Sequence, residues 1–337
     1  MPELMIYGCT GYTGRLVAEY AKSLGLGFIL AGRSENGVRA LAARFDARYR
    51  AFDLGDELLI DASLQDVSVL LNCAGPFART AGPLMEACIR SGTHYLDVAA
   101  ELDGYHLADE LDRKAREAKV MLMPGCGGSV AMLGCLAGHA LERVERPVSL
   151  DIALCVAGPM SRGSVVSAAE SSLATQCLER VWGALAQKQD AGAATSAFDF
   201  DDGKGQVACF PVTLPDLITI WKATKVPNIR TFVHASGNAL AALPTGDLTS
   251  LPDGPTAQER AASPYHACVV VTSEDRSVKR AVLHTVNGYT FTSQASVEAV
   301  KRVLAGEAAG GFQTPAGMFG ARFVESVAGT EIQDAVY

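Results

Sequence analysis

A chain of 337 residues exceeds the usual size of one compact domain, so its length implies two domains, or one domain interrupted by another. Hydrophobic residues make up 49% and charged residues 20%, the balance of a folded globular protein rather than a disordered one. A net charge of -8 gives nucleic acid no electrostatic footing, although a local cation or a helix N-terminus can still hold a small anion.

The chain enters an apolar run, LMIYG at 4–8, behind Glu3. Neither a basic stretch nor a cleavage site accompanies it, so a cytoplasmic protein without a signal peptide is expected. Over the first 140 residues, short apolar runs alternate with helical patterns. Strands are predicted at 4–7, 27–32, 48–52, 67–73, 94–98 and 119–123, and helices at 12–24, 37–45, 80–91 and 104–117. This alternation predicts an α/β fold with a Rossmann-type doubly wound parallel sheet. Residues 120–141 form a charge-free stretch long enough to cross a bilayer, but Pro124 and the GCGG sequence at 125–128 divide it. A buried strand, turn and helix is the expectation there, with no membrane span.

After about Arg146 the rhythm changes. Residues 147–158 read as a strand, 163–189 as a helix, 199–205 as a hairpin tip and 242–262 as a surface loop. Strands follow at 265–275 and 279–292, and a helix at 295–305. The prediction is a second, α+β domain for substrate and dimer contacts. The division is 1–125 for the nucleotide domain and 126–305 for the second.

Nine cysteines are dispersed and mostly set in apolar sequence, as expected of reduced core thiols. No CxxC, no HExxH and no compact Cys/His group occurs, so no metal site is expected.

The chemistry begins at Gly8, Gly11 and Gly14, which lie between an apolar strand and an amphipathic helix. Glycine suits backbone that bends sharply, approaches a ligand closely or lets a helix lie on a strand. Gly8 can make the turn, Gly11 can approach a pyrophosphate and Gly14 can let the helix pack down. Thr10, Tyr12 and Thr13 can then offer N–H groups and hydroxyls at the positive end of the helix dipole. The spacing is GxxGxxG, with Thr10 where the usual dinucleotide fingerprint has its second glycine. A ligand-free glycine turn is the plainer alternative.

The second strand ends in Gly32, Arg33 and Ser34 rather than in an acid. A guanidinium and a hydroxyl suit the 2′-phosphate of NADP, whereas NAD sites place a carboxylate there to hold the ribose hydroxyls. NADP is therefore expected over NAD. Alternatively Arg33 is merely solvated and Glu35 reaches the ribose. Asp53, after the third strand, can accept from the adenine amino group or cap the helix near 55–61. Ala74, Gly75 and Pro76 follow the fourth strand, where small residues let the cofactor approach the sheet's carboxyl edge, or simply form the strand's exit.

The segments YGCTGYTGRLVAEY, LAGRS, NCAGPFARTAGPLMEACIRSGTHYLD and GGFQTPAGMFGARFV resemble the saccharopine dehydrogenase-like oxidoreductases, a group that includes saccharopine dehydrogenases and reductases and trans-acting enoyl reductases. The likeness is densest at 5–101 and 300–327. It implies a Rossmann domain, a substrate domain and nicotinamide-dependent redox chemistry. It also implies that a C-terminal segment, about 306–337, returns to the nucleotide domain. Where many relatives have a GFDSxP-like segment after the sixth strand, this chain has GCGGSVAM at 125–132.

Hydride transfer asks the protein for orientation and a nearby proton source. Tyr95, Asp97 and Glu101 stand at the end of the fifth strand and are the catalytic candidates. Glu101 is the first choice, for proton transfer or for pairing with a substrate amine, although capping a helix near 103 fits it as well. Cys126, Arg162 and Ser164 are candidate substrate contacts. Their plainer readings are a buried thiol and a capped helix with an exposed Arg. The expected activity is NADP-dependent hydride transfer at a C–N or C=C bond of a small or acyl substrate, in a homo-oligomer, most simply a homodimer. A non-catalytic NADP sensor is the alternative. A serine hydrolase using Ser129 is a minor one, since GGSVA ends in Ala131 where the GxSxG elbow has glycine. The absence of YxxxK sets aside the short-chain dehydrogenases.

Overall fold

The computed structural model describes residues 3–170, 177–188, 195–237 and 251–335. The chain forms two compact units. The first holds the described residues through Gly128 together with Thr292–Thr314, and the second holds the described remainder.

The first unit runs β1 (Leu4–Tyr7), α1 (Tyr12–Ser23), β2 (Phe28–Gly32), α2 (Glu35–Phe45), β3 (Arg48–Ala51), α3 (Glu57–Ser63), β4 (Val69–Asn72), α4 (Phe77–Ser91), β5 (His94–Asp97), α5 (Leu102–Glu110), α6 (Asp112–Glu117) and β6 (Met121–Met123). Strands β1, β2 and β4 are buried along their whole length, as the unbroken apolar runs of a helix-covered parallel sheet require. Helix α1 buries Gly14, Val17, Ala18 and Ala21, the three- and four-residue spacing of one helical face. The strand order is β6-β5-β4-β1-β2-β3, all parallel, and the short strand Gly311–Phe312 pairs with the outer side of β6. The order reverses between β1 and β4, which opens a crevice at the carboxyl ends of those strands. The single helix predicted at 104–117 is two, divided at Leu111.

The second unit starts with α7 (Ser129–Leu141), so the apolar stretch suspected of crossing a membrane is β6, a turn and α7. No helix among the described residues is long and apolar enough to cross a membrane. There follow β7 (Pro147–Ala157), α8 (Arg162–Glu170), β8 (Leu178–Val181), β9 (Ala184–Gln187), β10 (Ser196–Asp199), β11 (Gln206–Pro211), α9 (Asp216–Thr224), β12 (Asn228–Ser236), α10 (Ala257–Ala261), β13 (Tyr265–Ser273), β14 (Val278–Thr285), α11 (Gly288–Leu304), β15 (Gly311–Phe312), α12 (Pro315–Phe319), a 3-10 turn at Ala321–Ser326 and β16 (Glu331–Ala335). Of these, β15 and α11 from Thr292 onward belong to the first unit.

The second sheet has the order β10-β11-β12-β7-β13-β14-β16, with β12 and β7 parallel and the other neighbours antiparallel. Helix α7 packs on β7, β13 and β14. Phe198, Phe200 and Cys209 from the β10–β11 hairpin cluster with Ala153, Cys155, Phe232, Cys268 and Val282 of the sheet. The fold class is α/β with a second, mixed-sheet unit.

The structure differs from the expected elements in several places. The helix predicted at 163–189 ends at Glu170 among the described residues, and β8 and β9 follow as a hairpin turning through Trp182 and Gly183, both at positive φ. Residues 171–176 lie outside the described residues. The strand predicted at 279–292 stops at Thr285, where Asn287 accepts from Tyr289 N–H and opens α11. Residues Thr292–Thr314 group with the first unit, and β16 pairs with β14 in the second sheet. Of the loop expected at 242–262, residues through 250 lie outside the described residues and Ala257–Ala261 is helical.

Candidate functional site

The glycine turn closes on itself through the backbone. Gly8 and Cys9 N–H donate to Ala31 O at 2.9 and 3.2 Å, and Gly11 N–H donates to Gly8 O at 3.0 Å. Gly8 sits at φ +79°, and a Cβ there would come within 2.6 Å of Ala74 N. A Cβ on Gly14 would lie 2.4 Å from Gly8 O and 2.8 Å from Cys9 Cα. Both glycines are therefore required by close backbone approach. Gly11 is the N-cap of α1 and brings no side chain to the helix end, while Tyr12 and Thr13 begin the helix. Arg15 braces the loop by donating to Thr10 O at 2.7 Å. The result is a helix N-terminus whose cap is bare backbone, at the sheet's switch point, the surroundings a diphosphate needs.

Arg33 and Ser34 are exposed beyond β2. Ser34 is the N-cap of α2, its Oγ accepting from Gly37 N–H at 3.3 Å, so its hydroxyl proton remains the group it can donate. Glu35, the alternative ribose ligand, pairs with Arg39 at 4.0 Å. Asp53 is exposed and accepts from Gly55 N–H at 2.8 Å, whereas the cap of α3 is Asp56. The capping role considered for Asp53 thus belongs to its neighbour. Tyr7, which the sequence reading passed over, ends β1 between these charges. Its ring lies 5.0 Å from that of Phe52, and burial pushes its phenol up to about 12, with Asp53 adding to the shift and Arg33 opposing it.

The loop after β4 is held by buried polar groups. Asn72 Oδ1 accepts from Ala74 N–H at 2.9 Å, and Asn72 Nδ2 donates to Thr80 Oγ1 at 3.0 Å and to Tyr95 OH at 3.2 Å. Thr80 Oγ1 donates in turn to Ala74 O at 2.7 Å. Gly75–Pro76 is a cis peptide. Asn72 and Thr80 were also missed by sequence reasoning. The available signal was an Asn closing an otherwise apolar strand at the sheet's carboxyl edge.

Tyr95 and Asp97 are fully buried. Tyr95 OH donates to Asp97 Oδ2 at 2.7 Å, and Asp97 Oδ1 accepts from Ala99 N–H at 2.9 Å and Gly125 N–H at 2.7 Å. Burial pushes the Asp97 carboxyl up to about 6 against these three donors, which hold it down. Glu101 is the N-cap residue of α5, as expected, but its side chain makes no bond there, and its Oε2 instead accepts from Ala78 N–H at 2.8 Å in the first turn of α4. Its Oε1 is buried without a hydrogen-bond partner. Cys126 is fully buried, with its thiol pushed well up by burial.

The structure therefore brings Gly8, Thr10, Gly11, Tyr12, Thr13, Gly14, Arg33, Ser34, Asp53, Ala74, Gly75, Pro76, Tyr95, Asp97, Glu101 and Cys126 to the carboxyl ends of one parallel sheet. Arg162 and Ser164 lie in the second unit at the start of α8. Arg162 is tied to Asp253 Oδ1 at 2.6 Å, and Ser164 Oγ lies 2.9 Å from Tyr289 OH. Ser129 begins α7, and no hydrogen bond among the described residues joins it to a histidine. No group of His, Cys, Asp and Glu among the described residues is arranged to hold a metal ion.

Residues 4–123 match the family model of the saccharopine dehydrogenase NADP-binding domain. The trans-acting enoyl reductase of Mycobacterium tuberculosis is 30% identical over 139 residues, covering 37% of this chain and 32% of that protein. A lipid droplet localized protein of Caenorhabditis elegans is 24% identical over 139 residues, covering 37% of this chain and 33% of its own length. The match thus spans about a third of the length of these relatives. Apo saccharopine dehydrogenase (L-Glu forming) from Saccharomyces cerevisiae superposes over the whole of both chains with a TM-score of 0.67 at 13% identity, a likeness of fold. With its glycine cradle and its switch-point crevice, the segment 4–123 is similar to the saccharopine dehydrogenase NADP-binding domain whose family model it matches.

Proposed function

We propose that the chain is an NADP-dependent oxidoreductase of saccharopine dehydrogenase type, moving hydride to or from a C–N or C=C bond of a small or acyl substrate. One observation carries this reading: two glycines, each excluded from bearing a side chain by backbone within 3 Å, present the end of α1, whose cap Gly11 has no side chain, to the crevice between β1 and β4. Gly8, Thr10, Gly11, Tyr12, Thr13 and Gly14 hold the diphosphate, Arg33 and Ser34 the 2′-phosphate, Asp53 the adenine edge, and Ala74, Gly75 and Pro76 the nicotinamide ribose. When bound, the cofactor supplies or accepts the hydride.

What remains for the protein is orientation and a proton. Among the carboxyls at this edge, Asp97 spends both oxygens on internal donors, while Glu101 keeps one oxygen unengaged. Glu101 is thus the residue fitted to hold a substrate amine or exchange a proton with substrate. The test is calorimetric titration with NADPH and NADH, followed by a panel of imines, enoyl esters and amino-acid adducts monitored by cofactor absorbance. Tight NADPH binding with turnover of any panel member supports the reading, and absence of binding by either coenzyme overturns it. Binding without turnover favours a sensor, a reading to which the internal engagement of Tyr95, Asp97 and Cys126 lends support.

A further inference from the structure

We infer that Asp97 is a positioning residue that, as an anion, locks together the two loops flanking the nicotinamide side of the cleft. The inference rests on the NADP reading above. The supporting chain of contacts is continuous across the sheet edge. Gly125, in the turn leaving β6, donates to Asp97 at the end of β5. Tyr95 joins Asp97 to Asn72 at the end of β4, and Asn72 holds Ala74. Ala74 in turn lies against Gly8. Cys126 N–H adds a bond of 2.8 Å to the Asp97 carbonyl. The side chain of Asp97 touches no solvent, so its role is exerted through what it holds.

The protonation state decides whether that hold is complete. An ionised carboxylate is acceptor-only and meets three donors: the Tyr95 hydroxyl and the amides of Ala99 and Gly125. A protonated carboxyl, or an asparagine amide, can still accept both amides on one oxygen, but its other atom must donate to the Tyr95 oxygen, which already accepts from Asn72, so the phenol proton is turned away from residue 97 and the bridge from Tyr95 is weakened. The titratable groups around it are Tyr95 and Glu101 from its own segment, Cys73 from the β4 exit and Cys126 from the β6 exit, while Cys88 acts on Tyr95. Burial and Glu101 oppose ionisation of Asp97, and the three donors favour it. With Asp97 titrating at about 6, its ionised fraction falls about fourfold between pH 7.5 and 5.5.

The experiment titrates the full chain with NADP+, which survives acid, at pH values from 5.5 to 7.5 for wild type, D97N and Y95F. In parallel, hydrogen exchange is followed over residues 123–128 of the ligand-free proteins. Wild type is expected to lose about twofold to fourfold more affinity than D97N across that range, fourfold if the neutral form does not bind, since the ligand's own titration is common to both. At pH 7.5, D97N should bind at least threefold more weakly than wild type and exchange faster at 123–128. Y95F, having lost the phenol donor, should move the affinity midpoint to higher pH. Equal binding and exchange by D97N and wild type, or an unmoved midpoint in Y95F, overturns the inference, and the Y95F midpoint decides alone if D97N does not fold. Should wild type bind no NADP+, the cofactor reading fails separately, and the exchange arm still decides whether Asp97 locks the loop.

Discussion

The two sheets differ in what builds their working residues. At the carboxyl edge of the first, recognition comes from backbone: glycines that admit close approach, a helix end capped by Gly11, and a loop held by Asn72 and Asp97. The second also uses paired side chains, as in Arg162 with Asp253 and Arg230 with Asp151, which meet at 2.6 and 2.7 Å. A site of small residues is tuned by what is left out, whereas a sheet of paired side chains is tuned by what is put in.

Substitution at Gly14 puts the sharpest strain on that contrast. Gly14→Ala places a methyl 2.4 Å from Gly8 O, so the turn and helix must part. Overpacking of this kind costs about 1–3 kcal/mol, and NADPH binding should fall below detection. Thermal unfolding and calorimetry check the two effects, and unchanged binding would show that the cradle does not depend on close approach.

The second unit holds its own exception in Asp216, fully buried with neither oxygen hydrogen-bonded and pushed up to about 7 by burial. Because its folded pKa is raised, folding is unpenalised below about pH 4 and loses stability as pH rises toward 7. The loss is on the order of a few kcal/mol. Asp216→Asn should remove most of that slope between pH 4 and 7 in denaturant melts. A parallel slope in wild type and variant would place the cost elsewhere.

Smaller effects sharpen the comparison. Arg33→Ala should weaken NADPH by roughly tenfold or more, the worth of a charge-assisted hydrogen bond, and leave NADH nearly unchanged in the same titration. Equal losses would remove Arg33 from the 2′-phosphate. Thr256→Ala deletes the capping box of α10, in which Thr256 Oγ1 accepts from Glu259 N–H at 3.2 Å. The expected cost is about 1 kcal/mol in a melt, with no effect on cofactor affinity.

Legibility followed the same divide. Strands β1, β2, β4 and β6 are readable because a helix-covered parallel sheet demands unbroken apolar runs, unlike the exposed RYRA of β3, and the glycine turn is readable because backbone approach restricts residue type. The β8–β9 hairpin was misread because LERVWGALAQ carries a helical pattern. Its turn signal, Gly183 at φ +82° after Trp182, was present but outweighed. The roles of Glu101 and Asp97 were hidden for another reason. A carboxylate that caps the next helix over, or receives an amide 28 positions away, leaves no mark on local spacing.

The pairing of Gly311–Phe312 with β6 has a consequence for synthesis. Met121 and Gly311 are register partners, so nearly the whole second unit leaves the ribosome before β6 gains its outer neighbour. Until then Met121–Met123 is an apolar strand with one flank bare, the kind of edge that recruits foreign strands. A transcript cut short ahead of codon 311 would leave that flank uncovered for good, and its product should precipitate even though every residue of the glycine cradle has been made.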